Sequence, residues 1–261
     1  MMENYDELSN AFDNMPGAPG RLMPIFYLID TSGSMQGAKI GQVNNAMRDM
    51  FQKDLLVVAQ DNDDAEIRVA VLTFDDDCHW ITGEDEPLML FDDRNDPNIE
   101  WQDLRPNGLT CMGAAFLELY EKLSRESFLK YSYGYFSPVL ILMSDGEPND
   151  DWISGLNKLK ENGWFQQSIK IAIKIGENAK SEPLEAFTNN PECVLTIKDK
   201  EMGKLNKLIV AITVHASKIV SHPKTSIEEL TPEERSGEIV RNVINEEDDS
   251  DSYGRLPDDF N

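Results

Sequence analysis

Apolar residues fall along this chain in two kinds of run. Short unbroken blocks stand at 25–29 (Ile25, Phe26, Tyr27, Leu28, Ile29) and 139–143, 67–74 is a β-branched run interrupted by Arg68 and Thr73, 194–197 holds one threonine, and 169–175 is an isoleucine run broken by two lysines. Blocks of this length, β-branched in part and bounded by polar, Gly-containing turns, predict strands buried on both faces. Between them the spacing changes to threes and fours: Ile40, Val43, Met47, Met50 and Phe51; Ala115, Leu119 and Leu123; Trp152, Ile153, Leu156 and Leu159; Leu184 and Phe187; Leu205, Leu208, Ile209, Ile212 and Val214. Each set is one face of a helix. Strands alternating with helices predict an α/β fold, a doubly wound and mostly parallel sheet covered by helices on both sides. Residues 78–82, reached across Asp75-Asp76-Asp77, predict one short antiparallel edge strand.

The pattern also divides the chain. Residues 1–20 are polar, end in Pro16, Gly17, Pro19 and Gly20, and read as a flexible leader. The folded domain is expected over 21–220. Residues 83–107 interrupt it with an acidic, irregular connection (Glu84-Asp85-Glu86, Asp92-Asp93, Asp96-Pro97) whose carboxylates read as solvated rather than as a second metal site. From 221 to 261 glutamate and aspartate dominate, and the composition is that of a disordered acidic tail. A helix or docking segment over 227–244 is the minority alternative there.

Charge narrows the partners. In 261 residues, Asp+Glu 48 against Lys+Arg 24 leaves a formal net charge of −24, which repels nucleic acid and anionic membrane surfaces. Cys78, Cys111 and Cys193 are scattered, and His79, His215 and His222 do not cluster, so neither a disulfide framework nor a zinc site is indicated. The N-terminal residues lack the basic and apolar regions of a signal peptide, and no apolar run reaches membrane-spanning length. The expected setting is cytoplasmic.

Candidate chemistry lies where the apolar blocks stop. The first block runs into Asp30-Thr31-Ser32-Gly33-Ser34, so Asp30 ends a central strand, at the sheet edge where open α/β folds bind ligands. Oxygen-bearing side chains at Asp30, Ser32 and Ser34 can converge on a hard cation such as Mg²⁺. The same residues also suit an ordinary turn that caps the next helix. That helix is expected to begin directly after the loop, with its positive dipole end toward the site. The block at 139–143 runs into Ser144-Asp145-Gly146-Glu147-Pro148-Asn149-Asp150, a second aspartate at a strand end. Between them, Asn107-Gly108-Leu109-Thr110 opens a helix. Thr110 stands at its N-cap position, or else aims its hydroxyl at a neighbouring strand end.

Asp30, Ser32, Ser34, Thr110 and Asp145 together form a set that resembles the metal-ion-dependent adhesion site of von Willebrand factor type A domains. The signature Asp-x-Ser-x-Ser, then Thr, then Asp-Gly appears in order over about residues 22–218. The resemblance implies a Rossmann-like sheet. It also implies a bound Mg²⁺ or Mn²⁺ held by these five residues directly or through water, and an open position for a Glu or Asp of a protein partner. It implies a binding module rather than an enzyme. Residues 24–30 with Thr31-Ser-Gly-Ser-Met35, Val43-Asn44-Asn45, and Leu142-Met-Ser-Asp-Gly-Glu-Pro148 are similar to small bacterial TerY-type proteins. That closer likeness implies a tellurite- or stress-resistance setting.

Three other readings compete. A haloacid-dehalogenase-like phosphotransferase would use Asp30 as nucleophile and Asp145-Gly-Glu-Pro-Asn-Asp150 for Mg²⁺, but Ser32 stands where most such enzymes carry an acid. Gly33 to Ile40 mimics a phosphate loop but lacks the Gly-Lys-[Ser/Thr] core, and no Gly-x-Ser-x-Gly elbow accompanies the histidines. A scaffold with a vestigial metal site is the third.

Overall fold

In this computed structural model, residues 21–60, 65–83, 89–90, 101–130, 134–221 and 230–252 are described. Strand β1 (Arg21–Asp30) is the centre of the sheet. It is followed by α1 (Ala38–Asp49), which continues through a π-helical turn (Met50–Asp54) into α2 (Leu55–Gln60). Then come β2 (Ala65–Phe74), β3 (Cys78–Trp80), β4 (Met89–Leu90), α3 (Met112–Lys122) and β5 (Val139–Ser144). The second half adds α4 (Trp152–Lys160), α5 (Gly163–Gln167), β6 (Ile169–Ile175), α6 (Glu182–Thr188), β7 (Val194–Ile197), α7 (Leu205–Ser221) and α8 (Pro232–Ser252).

The seven strands lie in the order β3-β2-β1-β5-β6-β7, with β4 also paired to β2. From β2 to β7 every pairing is parallel. Both β3 and β4 run antiparallel to β2, so the edge carries two short antiparallel strands where one is expected from 78–82. Met89 and Leu90 are too short a stretch to show a period-2 pattern, which is why β4 has no signature in the sequence.

The unbroken apolar blocks follow from burial on two sides. Met23, Ile25, Tyr27 and Ile29 face one core with α1, α7 and α8. Leu22, Phe26 and Leu28 face the other with α3, α4 and α6. Tyr27 is fully buried, and its hydroxyl shares a 2.9 Å hydrogen bond with Thr213 Oγ1 on α7. The chain leaves β1 toward β2 on one side and reaches β5 on the other. The crevice beyond the carboxyl ends of β1 and β5 is therefore a topological switch point. Register places Ile29 opposite Met143, which brings Asp30 beside Ser144.

The expectation of a disordered tail from 221 needs correction. Pro232–Ser252 is a helix whose Ile239, Val240 and Val243 are buried in the core that α7 covers. It also protects a sheet edge: β7 pairs only from Ala172 onward, and the Lys170 N–H of β6 is donated instead to Ser236 Oγ at 3.1 Å. The helix begins with a capping box. Glu234 N–H bonds Thr231 Oγ1 at 3.2 Å, and Thr231 N–H bonds Glu234 Oε2 at 2.8 Å, with Pro232 next in line. That Thr-Pro-Glu-Glu signal is present in the sequence. The acidic composition around it masks it, although three apolar side chains on one face suffice to dock the helix. The leader over 1–20 and the acids of 84–86, 92–93 and 96 lie outside the described residues.

Candidate metal centre

Asp30 is fully buried at the end of β1. Its Oδ1 accepts the Ser32 N–H at 2.8 Å, and its Oδ2 accepts the Ser144 hydroxyl at 2.5 Å. Burial pushes its carboxyl above the usual carboxylate range; the bonds from Ser144 and Ser32 pull the other way, and the charge of Asp145 adds to the upward push. Ser32 Oγ and Ser34 Oγ share a 2.9 Å hydrogen bond, and Ser34 Oγ donates to Asp145 Oδ1 at 2.7 Å. Lys39 Nζ is ion-paired with Asp145 Oδ2 and lies 3.4 Å from the Ser34 carbonyl oxygen.

Thr110 completes the group. A Cβ on Gly146 would stand 3.3 Å from Thr110 Oγ1, 3.4 Å from Ser34 Oγ and 3.7 Å from Asp30 Oδ2. Oxygens from two loops therefore converge on the space over Gly146 of the third, which a residue without a side chain leaves open. Asp30, Ser32, Ser34, Thr110 and Asp145, proposed as a set from the sequence, are thus brought together.

What holds Thr110 there is a lattice of backbone bonds. Asn107 N–H donates to Thr31 O at 2.8 Å, and Gly33 N–H donates to Gly108 O at 3.1 Å, which ties the 107–110 loop to the loop after β1. Gly108 has φ +63°, and a Cβ there would collide with the Asp76 carboxylate, so this position requires glycine. Asp76 Oδ1 in turn accepts Leu109 N–H at 2.9 Å. Asn149 Oδ1 accepts Thr110 N–H at 2.9 Å. Further back, buried Asn44 of α1 accepts Leu104 N–H at 2.8 Å and donates to Leu104 O at 3.0 Å.

One open alternative is decided and one expectation changes. Thr110 does not cap α3: Cys111 occupies the N-cap without a side-chain bond, and the exposed amides of Gly113 and Ala114 are taken by Asp150 from the loop after β5. Thr110 is thereby free to point its hydroxyl over Gly146. The first helix also starts later than expected, because a 3₁₀ turn (Gly33–Met35) and Gln36-Gly37 precede Ala38.

Sequence reading missed Asn44, Asp76 and the capping role of Asp150, since each acts on a segment distant in the chain. It met Lys39 only as part of the phosphate-loop mimic. Of the segment that the phosphotransferase reading uses for Mg²⁺, Asn149 and Asp150 are engaged instead in holding the 110–114 backbone.

The donor set fits a hard divalent cation. Two carboxylates and three hydroxyls meet in a confined, mostly buried space, and a cation already sits against one carboxylate as the Lys39 ammonium. Among the described residues no group of three or more His, Cys, Asp or Glu side chains is arranged to hold a metal, so any ion here depends on the hydroxyls. Ser34 is the exposed member, which leaves the space over Gly146 open toward solvent.

The model of the von Willebrand factor type A domain matches residues 25–209. Among curated proteins none matches in sequence. Several solved structures share the fold. Proximal thread matrix protein 1 from the mussel byssus, with a zinc-occupied MIDAS motif, is 24% identical with TM-score 0.56, over 75% of this chain and 49% of that one. A von Willebrand factor type A protein from Catenulispora acidiphila is 17% identical with TM-score 0.53, over 76% of this chain and 43% of that one. The vWF domain of the type V pili tip protein from Porphyromonas gingivalis is 13% identical with TM-score 0.55, over 79% of this chain and 99% of that one. The chain spans about half the length of the mussel thread protein it matches. With its strand order, its convergent oxygens and the match over 25–209 taken together, this chain belongs to the von Willebrand factor type A domain family.

Proposed function

We propose that the chain is a divalent-metal-dependent protein-binding module. In this reading Asp30, Ser32, Ser34, Thr110 and Asp145 hold Mg²⁺ or Mn²⁺, and a Glu or Asp of a protein partner binds through the ion. The observation that carries it is the convergence of Thr110 Oγ1, Ser34 Oγ and Asp30 Oδ2 over Gly146. Hydroxyl ligands neutralise less charge than carboxylates, so an ion held this way attracts a further carboxylate. The exposed Leu109 side chain, next to Thr110, offers apolar contact at the rim. The zinc named for the mussel protein supports a divalent ion at such a site.

Both oxygens of buried Asp30 already accept hydrogen bonds, from the Ser32 N–H and the Ser144 hydroxyl, which favours the binding reading over a nucleophilic one. The test is capture of partners on immobilised protein with Mg²⁺, with EDTA, and with Asp145→Ala. Binding present only for the wild type in Mg²⁺ is expected. Partners retained equally in all three would overturn the proposal in favour of a metal-independent scaffold.

The similarity of residues 24–35 and 142–148 to TerY-type proteins supports a tellurite- or stress-resistance role in a cytoplasmic setting. Deleting the gene should raise tellurite sensitivity, and fractionation should find the protein in the cytoplasm. Unchanged tolerance removes that part of the proposal without touching the metal site.

A further inference from the structure

The opposite end of the sheet carries a second polar feature. Arg21 begins β1, 134–137 leads into β5, α5 precedes β6, and Arg235 lies on the first turns of α8. These elements enclose an open cavity of 490 Å³ lined by Arg21, Tyr135, Phe136, Ser137, Trp164 and Arg235, among others. It lies at the amino ends of the strands, whereas Asp30 and Asp145 lie at the carboxyl ends. Its size falls in the range of small-molecule sites.

Two guanidinium groups line this space in a chain of net charge −24, and among the described residues neither has an acidic partner. The acids of the first turn of α8 are engaged elsewhere: Glu233 faces Lys170 Nζ at 4.0 Å, and Glu234 closes the capping box with Thr231. Arg21 Nη2 donates to Tyr135 O at 3.1 Å, and its guanidinium lies over the Phe136 ring at 4.4 Å, leaving its other donors uncommitted. Arg235 Nε is buried with no hydrogen-bond partner, a donor that costs stability until an acceptor reaches it. The walls are aromatic. Tyr135 and Trp164 meet edge to face at 5.8 Å, and Arg125 lies 5.9 Å over the Trp164 ring.

We infer that this cavity binds a small aromatic anion, a ring-bearing carboxylate or phosphate monoester. Its charged group would bond Arg21 and Arg235, and its ring would pack between Phe136 and Trp164. Planar guanidinium forks match carboxylate and phosphate oxygens, and the rings supply the flat surface that a bare anion does not use. Because Arg235 belongs to α8, the ligand would also bridge that helix to the sheet. The inference is independent of the metal centre.

The experiment titrates phenyl phosphate, benzoate and inorganic phosphate into the full chain in EDTA, read by calorimetry and tryptophan fluorescence. Saturable one-site binding of phenyl phosphate or benzoate is expected, and which one binds tells phosphate from carboxylate. Arg21→Gln and Arg235→Gln should each weaken it by about tenfold or more, whereas Gly146→Ala at the metal centre should leave it unchanged. Trp164→Phe should bind while losing most of the fluorescence change. If Arg235→Gln unfolds the chain, Arg21→Lys, which keeps the charge but not the fork, must show the same weakening. No saturable binding to the wild type at millimolar ligand overturns the inference. So does binding that folded arginine variants retain in full, or inorganic phosphate binding as tightly as phenyl phosphate.

Discussion

Asp150 accepts the backbone N–H of Gly113, 37 positions earlier, at 3.0 Å, and its second oxygen takes the Ala114 N–H at 2.9 Å. A carboxylate from the loop after β5 thus caps the helix that follows Thr110, so the loops carrying Thr110 and Asp145 are held as one body. An anionic cap also suits the positive end of the helix.

Asp150→Ala should cost about 0.5–2 kcal/mol, the range for losing a helix cap. It should also weaken Mg²⁺ binding, because Thr110 loses its support. Urea unfolding in EDTA and again in Mg²⁺ separates the two effects. Unchanged affinity would show that the Asn149–Thr110 bond alone positions the hydroxyl.

Gly146→Ala places a methyl group 3.3 Å from Thr110 Oγ1 and 3.4 Å from Ser34 Oγ. Melting in EDTA should stay near that of the wild type, because no neighbour is closer than a slight adjustment can accommodate. The metal response should vanish. In the wild type, ion at 100 times its Kd should add about 2.7 kcal/mol; a shift of that size in the variant would remove the space over Gly146 as the ion's position.

Asp30→Asn deletes a buried negative charge beside a second carboxylate. Metal-free protein should melt higher than the wild type, and Mg²⁺ should no longer raise it, the trade of stability for function expected where a charge is buried for binding. A lower melting temperature in EDTA would mean that the bonds from Ser32 and Ser144 outweigh the cost of burying the charge.

Asn44→Ala breaks three bonds to the 101–104 segment: Leu104 N–H at 2.8 Å, Leu104 O at 3.0 Å and Trp101 Nε1–H at 3.2 Å. Leaving buried backbone groups unpaired should cost about 2–3 kcal/mol. Hydrogen exchange should quicken over 101–110, the stretch that leads to Thr110. Exchange unchanged there would place the loop's rigidity in Gly108 and Asp76 instead.

Ile239→Ala should destabilise the whole domain by about 2–5 kcal/mol, since the side chain is fully buried. Ser236→Ala should cost about 1–3 kcal/mol by stranding the Lys170 N–H. A shortened chain ending at residue 221 with wild-type stability would show that α8 rests on the core without contributing to it.

Strand ends and the residues that converge at the candidate site were legible in the sequence for one reason. Residues 25–30 pass from apolar to charged in a single step and 139–145 do so across Ser144 alone, and burial on two faces forces that abruptness. An aspartate after a doubly buried strand can only stand at the sheet's edge, so Asp30 and Asp145 followed from local pattern, with Ser32 and Ser34 beside them. Thr110 came from its place in the signature, since its own neighbourhood admitted a cap equally well.

Other features depended on chain segments meeting across long separations, which no local period records. Asp150 on Gly113, Asn44 on Leu104, Asp76 on Leu109 and Lys39 on Asp145 are each polar residues that look like ordinary surface in their own stretch. The docking of α8 is the same case. Its composition predicts solvation, and only the unpaired edge of β6 and the apolar face of α7 make burying Ile239 and Val243 favourable. Local hydrophobic pattern therefore determined the layers and where the oxygens lie along the chain. Tertiary packing decided which loops were locked together, which hydroxyl was free to turn inward, and how far the folded domain extends.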